Sequence, residues 1–88
     1  MPVIHVEFFG IARQRARVAD AEINAGTLAE VCRGLGERFP DLAASCLRGD
    51  ALRPGFLASV NGESFTTDPA TRLHAGDSLL ILSADLGG

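Results

Sequence analysis

Gly87 and Gly88, the last two residues of this 88-residue sequence, hold its most promising chemistry. Neither carries a Cβ to obstruct a narrow channel, and each can take whatever φ a channel imposes, so the pair can deliver a terminal carboxylate into another protein's buried active site. A carboxylate is a poor electrophile. A partner that transfers AMP to it from ATP makes an acyl adenylate, which sulfide or a thiol can attack. The plain alternative is a disordered, inert terminus, and the Gly-Gly alone weighs the two evenly. Asp85, Leu86, Gly87 and Gly88 span at most about 14 Å when extended, enough to enter a partner's cleft.

The other reactive residue types have no partners at useful spacing. His5 and His74 stand alone, outside any metal-ligand pattern. The "GLG" at 34–36 lies within a helical pattern and lacks the Lys and Ser or Thr of a phosphate loop. Ser59, Ser64 and Ser78 have no nucleophile-elbow context. Cys32 and Cys46 are too far apart for a CxxC motif, so buried thiols are expected rather than a disulfide or metal site. These residues predict a chain that is not an enzyme by itself and binds no metal or cofactor.

Composition narrows the partners. A net charge of −3 and a pI near 5.2 argue against nucleic acid, whose phosphates need clustered basic residues. No apolar run approaches the roughly 20 residues of a membrane span, and "MPVIHVEFFG" lacks the basic region and cleavage site of a signal peptide, so a cytoplasmic protein is expected. All eight basic residues are arginine. A GC-biased genome accounts for this most simply, yet it also leaves no side chain on which the chain can be N-acylated.

These residues need a scaffold, and the hydrophobic pattern predicts an α+β one in a single domain over residues 1–84, followed by an 85–88 tail. "VIHVEFF" alternates as a strand, with Ile4, Val6 and Phe8 on one side and His5, Glu7 and Phe9 on the other. The polar "GIARQRARVAD" reads as a loop leading to a second strand at "AEINA", the two strands forming a hairpin. Thr27 and Glu30 have capping-box spacing, in which each side chain bonds the other's backbone N–H. Leu28, Val31, Cys32, Leu35 and Phe39 then form one helical stripe. Gly34 and Gly36 should each cost that helix about 1 kcal/mol relative to Ala, weakening its last turn before Pro40. "DLAASCL" predicts a short second helix with Leu42 and Cys46 on one side, and "RGDALRPG" an exposed loop. "FLASV" and "ESF" flank Asn61-Gly62, a type I′ hairpin signal, and Gly76-Asp77 turns the chain into the strand "SLLILSA".

That last strand is apolar on both rows, Leu79 and Ile81 on one and Leu80 and Leu82 on the other, as a central strand should be. One substantial helix can cover only one face of the sheet. Leu80, Leu82 and Phe9 should therefore line an uncovered face, an apolar patch suited to a docking partner unless loops fold over it.

With these elements in place, the sequence resembles the MoaD/ThiS family of sulfur carriers over nearly its whole length. "FFGIAR" is similar to the first-strand signature of the molybdopterin synthase small subunit and places Phe8, Phe9 and Arg13. "VNG" and "LHAGDSLLIL" are similar to the family's hairpin and last-strand entry, placing Asn61, Gly76 and Asp77, and Gly87-Gly88 completes the set. The resemblance implies a ubiquitin-like β-grasp fold with a mixed, about five-stranded sheet and one main helix on one face. It further implies that an E1-like adenylyltransferase uses ATP to adenylate Gly88, and that a sulfur donor then converts the adenylate to a thiocarboxylate. The sulfur passes to a synthase subunit, here the molybdopterin synthase large subunit or an equivalent. By the same resemblance Gly87 gives access, Phe9, Phe65, Leu80, Leu82, Asp85 and Leu86 meet the partner, and Arg13 either joins them or is a solvated loop arginine. The free protein is expected to be a monomer. Ser83-Ala84 stand where molybdopterin-type members usually have Pro-Pro, and Asp85 adds a charge where small or apolar residues are common. Thiamine, cysteine, tRNA-thiolation and natural-product pathways therefore stay open as clients, and a ubiquitin-like modifier or a non-covalent interaction module as alternative roles.

Overall fold

The computed structural model describes residues 1–83. The chain opens on β1 (Val3–Phe8), a short helix α1 (Ile11–Ala16) and β2 (Asp20–Asn24). The main helix α2 (Leu28–Arg38) and a second, α3 (Pro40–Cys46), follow. Two very short strands, β3 (Leu47–Arg48) and β4 (Ala51–Leu52), lead to β5 (Phe56–Val60), β6 (Ser64–Thr66) and β7 (Ser78–Ser83). Five strands form one mixed sheet in the order β2-β1-β7-β5-β6, with β1 and β7 parallel and the other neighbours antiparallel. The strand with two apolar rows, β7, lies at the centre.

One row from each of β1, β2, β5 and β7 builds the core. Ile4, Val6 and Phe8 of β1, Ala58 of β5, and Leu79 and Ile81 of β7 are buried with Leu28, Val31, Cys32 and Leu35 of α2. Phe39, just past α2, meets Phe8 edge to face with ring centroids 5.6 Å apart. Leu42 and Cys46 of α3 complete the buried set at that end.

The start of α2 follows the capping-box logic with one shift. The Glu30 N–H donates to Thr27 Oγ1 at 3.2 Å, but Glu30 Oε1 accepts from the Gly26 N–H at 2.7 Å, one residue before the expected donor. Further free N–H groups of the first turn, on Leu28 and Ala29, donate to the carbonyls of Thr71 and Pro69. The long connection from β6 to β7 is thereby tied to the helix, and its Leu73 is buried.

The helix keeps its expected extent, and two local expectations elsewhere change. The helix α2 continues through both glycines to Arg38, and a Cβ on Gly34 would stand 2.9 Å from Ile23 Cγ2, so this glycine lets the helix lie close to β2. The polar stretch after Gly10 is not all loop: Ala12 and Ala16, one turn apart, are buried under α1, while Arg13, Gln14 and Arg15 face solvent. The segment read as an exposed loop contains the β3–β4 hairpin, which turns at Gly49 with φ 61° and buries Leu47 and Leu52.

Candidate functional site

The strand rows that do not enter the core define the opposite face of the sheet. Along one line of paired residues stand Asp20, Glu7, Leu80, Ser59 and Phe65, taken from β2, β1, β7, β5 and β6 in turn. Leu82 pairs with Leu57 on the next line. The Phe9 N–H donates to the Ile81 carbonyl at 3.2 Å, continuing the parallel register so that Phe9 falls beside Leu82. Phe9 is 62% exposed and Phe65 69%, while Leu57, Leu80 and Leu82 are half-buried. No described loop covers the two phenylalanines.

This places four of the predicted partner-facing residues, Phe9, Phe65, Leu80 and Leu82, on one surface. It adds Leu57, which sequence reading missed because "FLASV" is apolar at almost every position; only strict alternation from Phe56 and Ala58 could have singled it out. Arg13 lies elsewhere, on exposed α1, where it lines an open basic cleft with Gln14 and Arg17. It is a helical residue rather than a loop arginine. Asp85, Leu86, Gly87 and Gly88 lie outside the described residues.

The face is divided by charge. Its β1–β2 edge is polar and acidic, carrying Glu7, Asp20 and Glu22, with His5 Nε2 at 3.5 Å from Asp20 Oδ2. Its other half is the apolar group around Leu82, and the last described residue, Ser83, follows Leu82 directly. The apolar half is therefore the part at the end of β7, where the described residues stop.

Asn61 and Asp77 fix the near end of β7. Asn61 and Gly62 have φ of 54° and 68°, the pair of positive angles the Asn-Gly turn was expected to supply. The Glu63 N–H closes this turn on the Val60 carbonyl at 3.0 Å. Asn61 then bonds three times to Asp77 and Ser78, at the entry to β7. Its Nδ2 donates to Asp77 Oδ1 at 3.0 Å, its Oδ1 accepts from the Ser78 N–H at 2.9 Å, and its N–H donates to the Ser78 carbonyl at 2.8 Å. Asp77 Oδ2 also accepts from the His74 N–H at 2.8 Å. The Asn61 amide, the His74 N–H and the nearby His74 ring hold the Asp77 carboxyl below the ordinary carboxylate range.

The two cysteine thiols are withdrawn. Cys32 and Cys46 are free thiols without solvent exposure. Burial, with a smaller effect of Asp50, pushes the Cys32 thiol up to about 11, and burial raises Cys46 as well. Among the described residues no three His, Cys, Asp or Glu side chains are placed to hold a metal ion, and no helix is long and apolar enough to cross a membrane.

Comparison with solved structures identifies the fold as β-grasp. The small archaeal modifier protein 1 of Methanosarcina acetivorans superposes with a TM-score of 0.82 at 21% identity, over 100% of this chain and 98% of that one. A chain of the Amycolatopsis orientalis BexX/CysO complex gives 0.79 at 21% identity, covering 97% and 99%. The Pyrococcus furiosus protein named as molybdopterin converting factor, subunit 1, gives 0.75 at 18% identity, covering 94% and 98%. No protein-family model matches the sequence, and no curated protein does.

Proposed function

We propose that this β-grasp chain is a sulfur carrier that works through the carboxyl group of Gly88. The observation that carries the reading is the uncovered apolar group Phe9, Leu57, Phe65, Leu80 and Leu82, set on and around the strand that leads toward Gly87-Gly88. Exposed apolar area of this kind is a docking surface, and here it is continuous in sequence with the group to be activated. An E1-like adenylyltransferase docks on this face and receives the tail. The Gly88 carboxylate attacks the α-phosphate of ATP, forming an acyl adenylate and releasing pyrophosphate. Hydrosulfide then displaces AMP, leaving a thiocarboxylate on Gly88; where the persulfide of a donor attacks instead, AMP leaves from an acyl disulfide, and a thiol of the donor cleaves its S–S bond to give the thiocarboxylate and a disulfide. A synthase subunit accepts the sulfur, and for that client we favour molybdopterin synthesis.

Support comes from the fold, from the face, and from the names of the structural neighbours, which include a molybdopterin converting factor subunit and CysO in complex with BexX. Incubation with the activating enzyme, ATP and a sulfur source should exchange one oxygen for sulfur in the intact mass, and deletion of Gly88 should prevent the exchange. A mass change that survives the deletion would refute the assignment.

A second reading has a specific observation behind it, because the Methanosarcina neighbour is named a modifier. As a modifier, the chain would pass the same acyl group to lysines of other proteins, and cell extract would show a ladder of covalent adducts that resists thiol reduction.

A further inference from the structure

We infer that the free face of the sheet carries a pocket for an arginine side chain of the adenylyltransferase that docks there, set beside the apolar group and chemically distinct from it. The inference rests on the docking role proposed above and adds the chemistry of the partner's surface.

The pocket lies at the middle of the line Asp20, Glu7, Leu80, Ser59 and Phe65. It is a cavity of about 340 Å³ lined by Glu7, Ser59, Ser78, Leu80 and the Asn61-Gly62 turn. Ser59 is 7% exposed, the one buried polar residue among those described. Its hydroxyl, like that of Ser78, has no hydrogen-bond partner among the described residues. Buried hydroxyls are ordinarily bonded. This one borders the cavity and is left for a group that enters it.

Charge decides what enters. The Phe8 N–H donates to the Ala19 carbonyl at 2.9 Å. The adjacent pair, Glu7 and Asp20, is therefore of the close, non-hydrogen-bonded kind, with both carboxylates on one face. Like charges directly opposite each other are unfavourable. Asp20 has His5 Nε2 at 3.5 Å, but Glu7 has no ion pair among the described residues. Arg17 and Arg33, the arginines held by carboxylates, pair with Asp41 and Asp50 instead. A cation from outside the chain answers Glu7, and a guanidinium also fits the rest of the lining. Its fork bonds a carboxylate through two N–H groups and leaves further N–H groups for the hydroxyls, while its weakly hydrated plane lies against an apolar side chain such as Leu80. An ammonium is more strongly hydrated and pays more to meet the same wall. Leu82 follows Leu80 by two residues, about 7 Å along β7 at about 3.3 Å per residue. The partner's arginine thus accompanies an apolar anchor at about that spacing.

The first arm of the test needs no enzyme. The isotope-labelled full chain is titrated with Nα-acetylarginine amide and, in parallel, with its neutral isostere Nα-acetylcitrulline amide, while backbone amide resonances are followed. The arginine probe should move Glu7, Ser59, Ser78 and Leu80 saturably and bind at least about ten-fold more tightly than citrulline, a preference that Glu7→Gln removes. Equal binding of the two probes, or shifts confined to other carboxylates such as Asp41 and Asp50, would overturn the inference. The second arm uses the activating enzyme and ATP. Ser59→Ala and Glu7→Gln should each raise the KM for this chain in pyrophosphate release at least about five-fold, with kcat within about two-fold, because the pocket binds and does not react. Unchanged KM in both variants would also overturn it. Since the Ser59 hydroxyl makes no bond within the described chain, Ser59→Ala should melt with the native protein, which separates lost docking from lost folding. Failure of the native chain to release pyrophosphate counts against Gly88 activation, while the arginine titration still decides the pocket.

Discussion

Asn61 does more than form a turn. Its amide and backbone make three hydrogen bonds to Asp77 and Ser78, so the β5–β6 hairpin and the entry to β7 are one hydrogen-bonded unit. Asn61→Ala removes the two side-chain bonds and places alanine at a positive φ, and should lower the unfolding free energy by about 1–2 kcal/mol in urea titrations. Asp77 supplies the pH dependence. Because its folded pKa is depressed below the ordinary 3.8, its charge stabilises the fold above that value, and this contribution is lost as pH falls through the lower, folded value. The native protein should therefore be more stable than Asp77→Asn at neutral pH, with the gap closing in acid. A gap that persists unchanged down to about pH 2 would mean that hydrogen-bond geometry, not charge, sets it. The pairing of Asn61 with Asp77 could be suspected from the sequence only as two turn signals; that one side chain joins them depends on β5 and β7 being neighbours.

The two glycines of α2 look alike in sequence and differ in the structure. An added Cβ at Gly36 meets Ala43 Cβ at 3.8 Å, an ordinary contact, whereas at Gly34 it meets Ile23 Cγ2 at 2.9 Å. Gly36→Ala should raise stability by about 0.5–1 kcal/mol through helix propensity, and Gly34→Ala should lose that gain against Ile23. Thermal unfolding of the two single variants checks the contrast; equal stabilisation by both would show that Ile23 yields freely. Long, strongly periodic elements were legible at this scale: β1, α2, α3 and β7 follow their apolar patterns closely. The misses were short elements. The arginines of α1 hide a two-alanine stripe, and β3 and β4, two residues each, are too short to show any period.

At the scale of the whole molecule, the candidate site follows from a mismatch between helix and sheet. The helices and the strand rows packed under them account for the core, and the central strand still has a second apolar row to place. That argument was available from the sequence, and it correctly put Phe9, Leu80 and Leu82 on the free face. Phe65 needed the register with Ser59, and Leu57 the register with Leu82, because β5 and β6 carry little alternation of their own. Replacing both exposed phenylalanines, Phe9→Ser with Phe65→Ser, should change folding stability by less than about 1 kcal/mol. The same double variant should weaken activation by the partner enzyme at least about 30-fold, the effect of losing roughly 2 kcal/mol of aromatic anchoring. The central claim is nevertheless chemical and concerns one atom of one residue. Its most direct test is fragment mass spectrometry of the carboxyl-terminal peptide after incubation with activating enzyme, ATP and sulfur donor. A sulfur-for-oxygen exchange located on Gly88 is the predicted result; an unaltered Gly88 in a reaction that consumes ATP, or sulfur found on Cys32 or Cys46 instead, would contradict it.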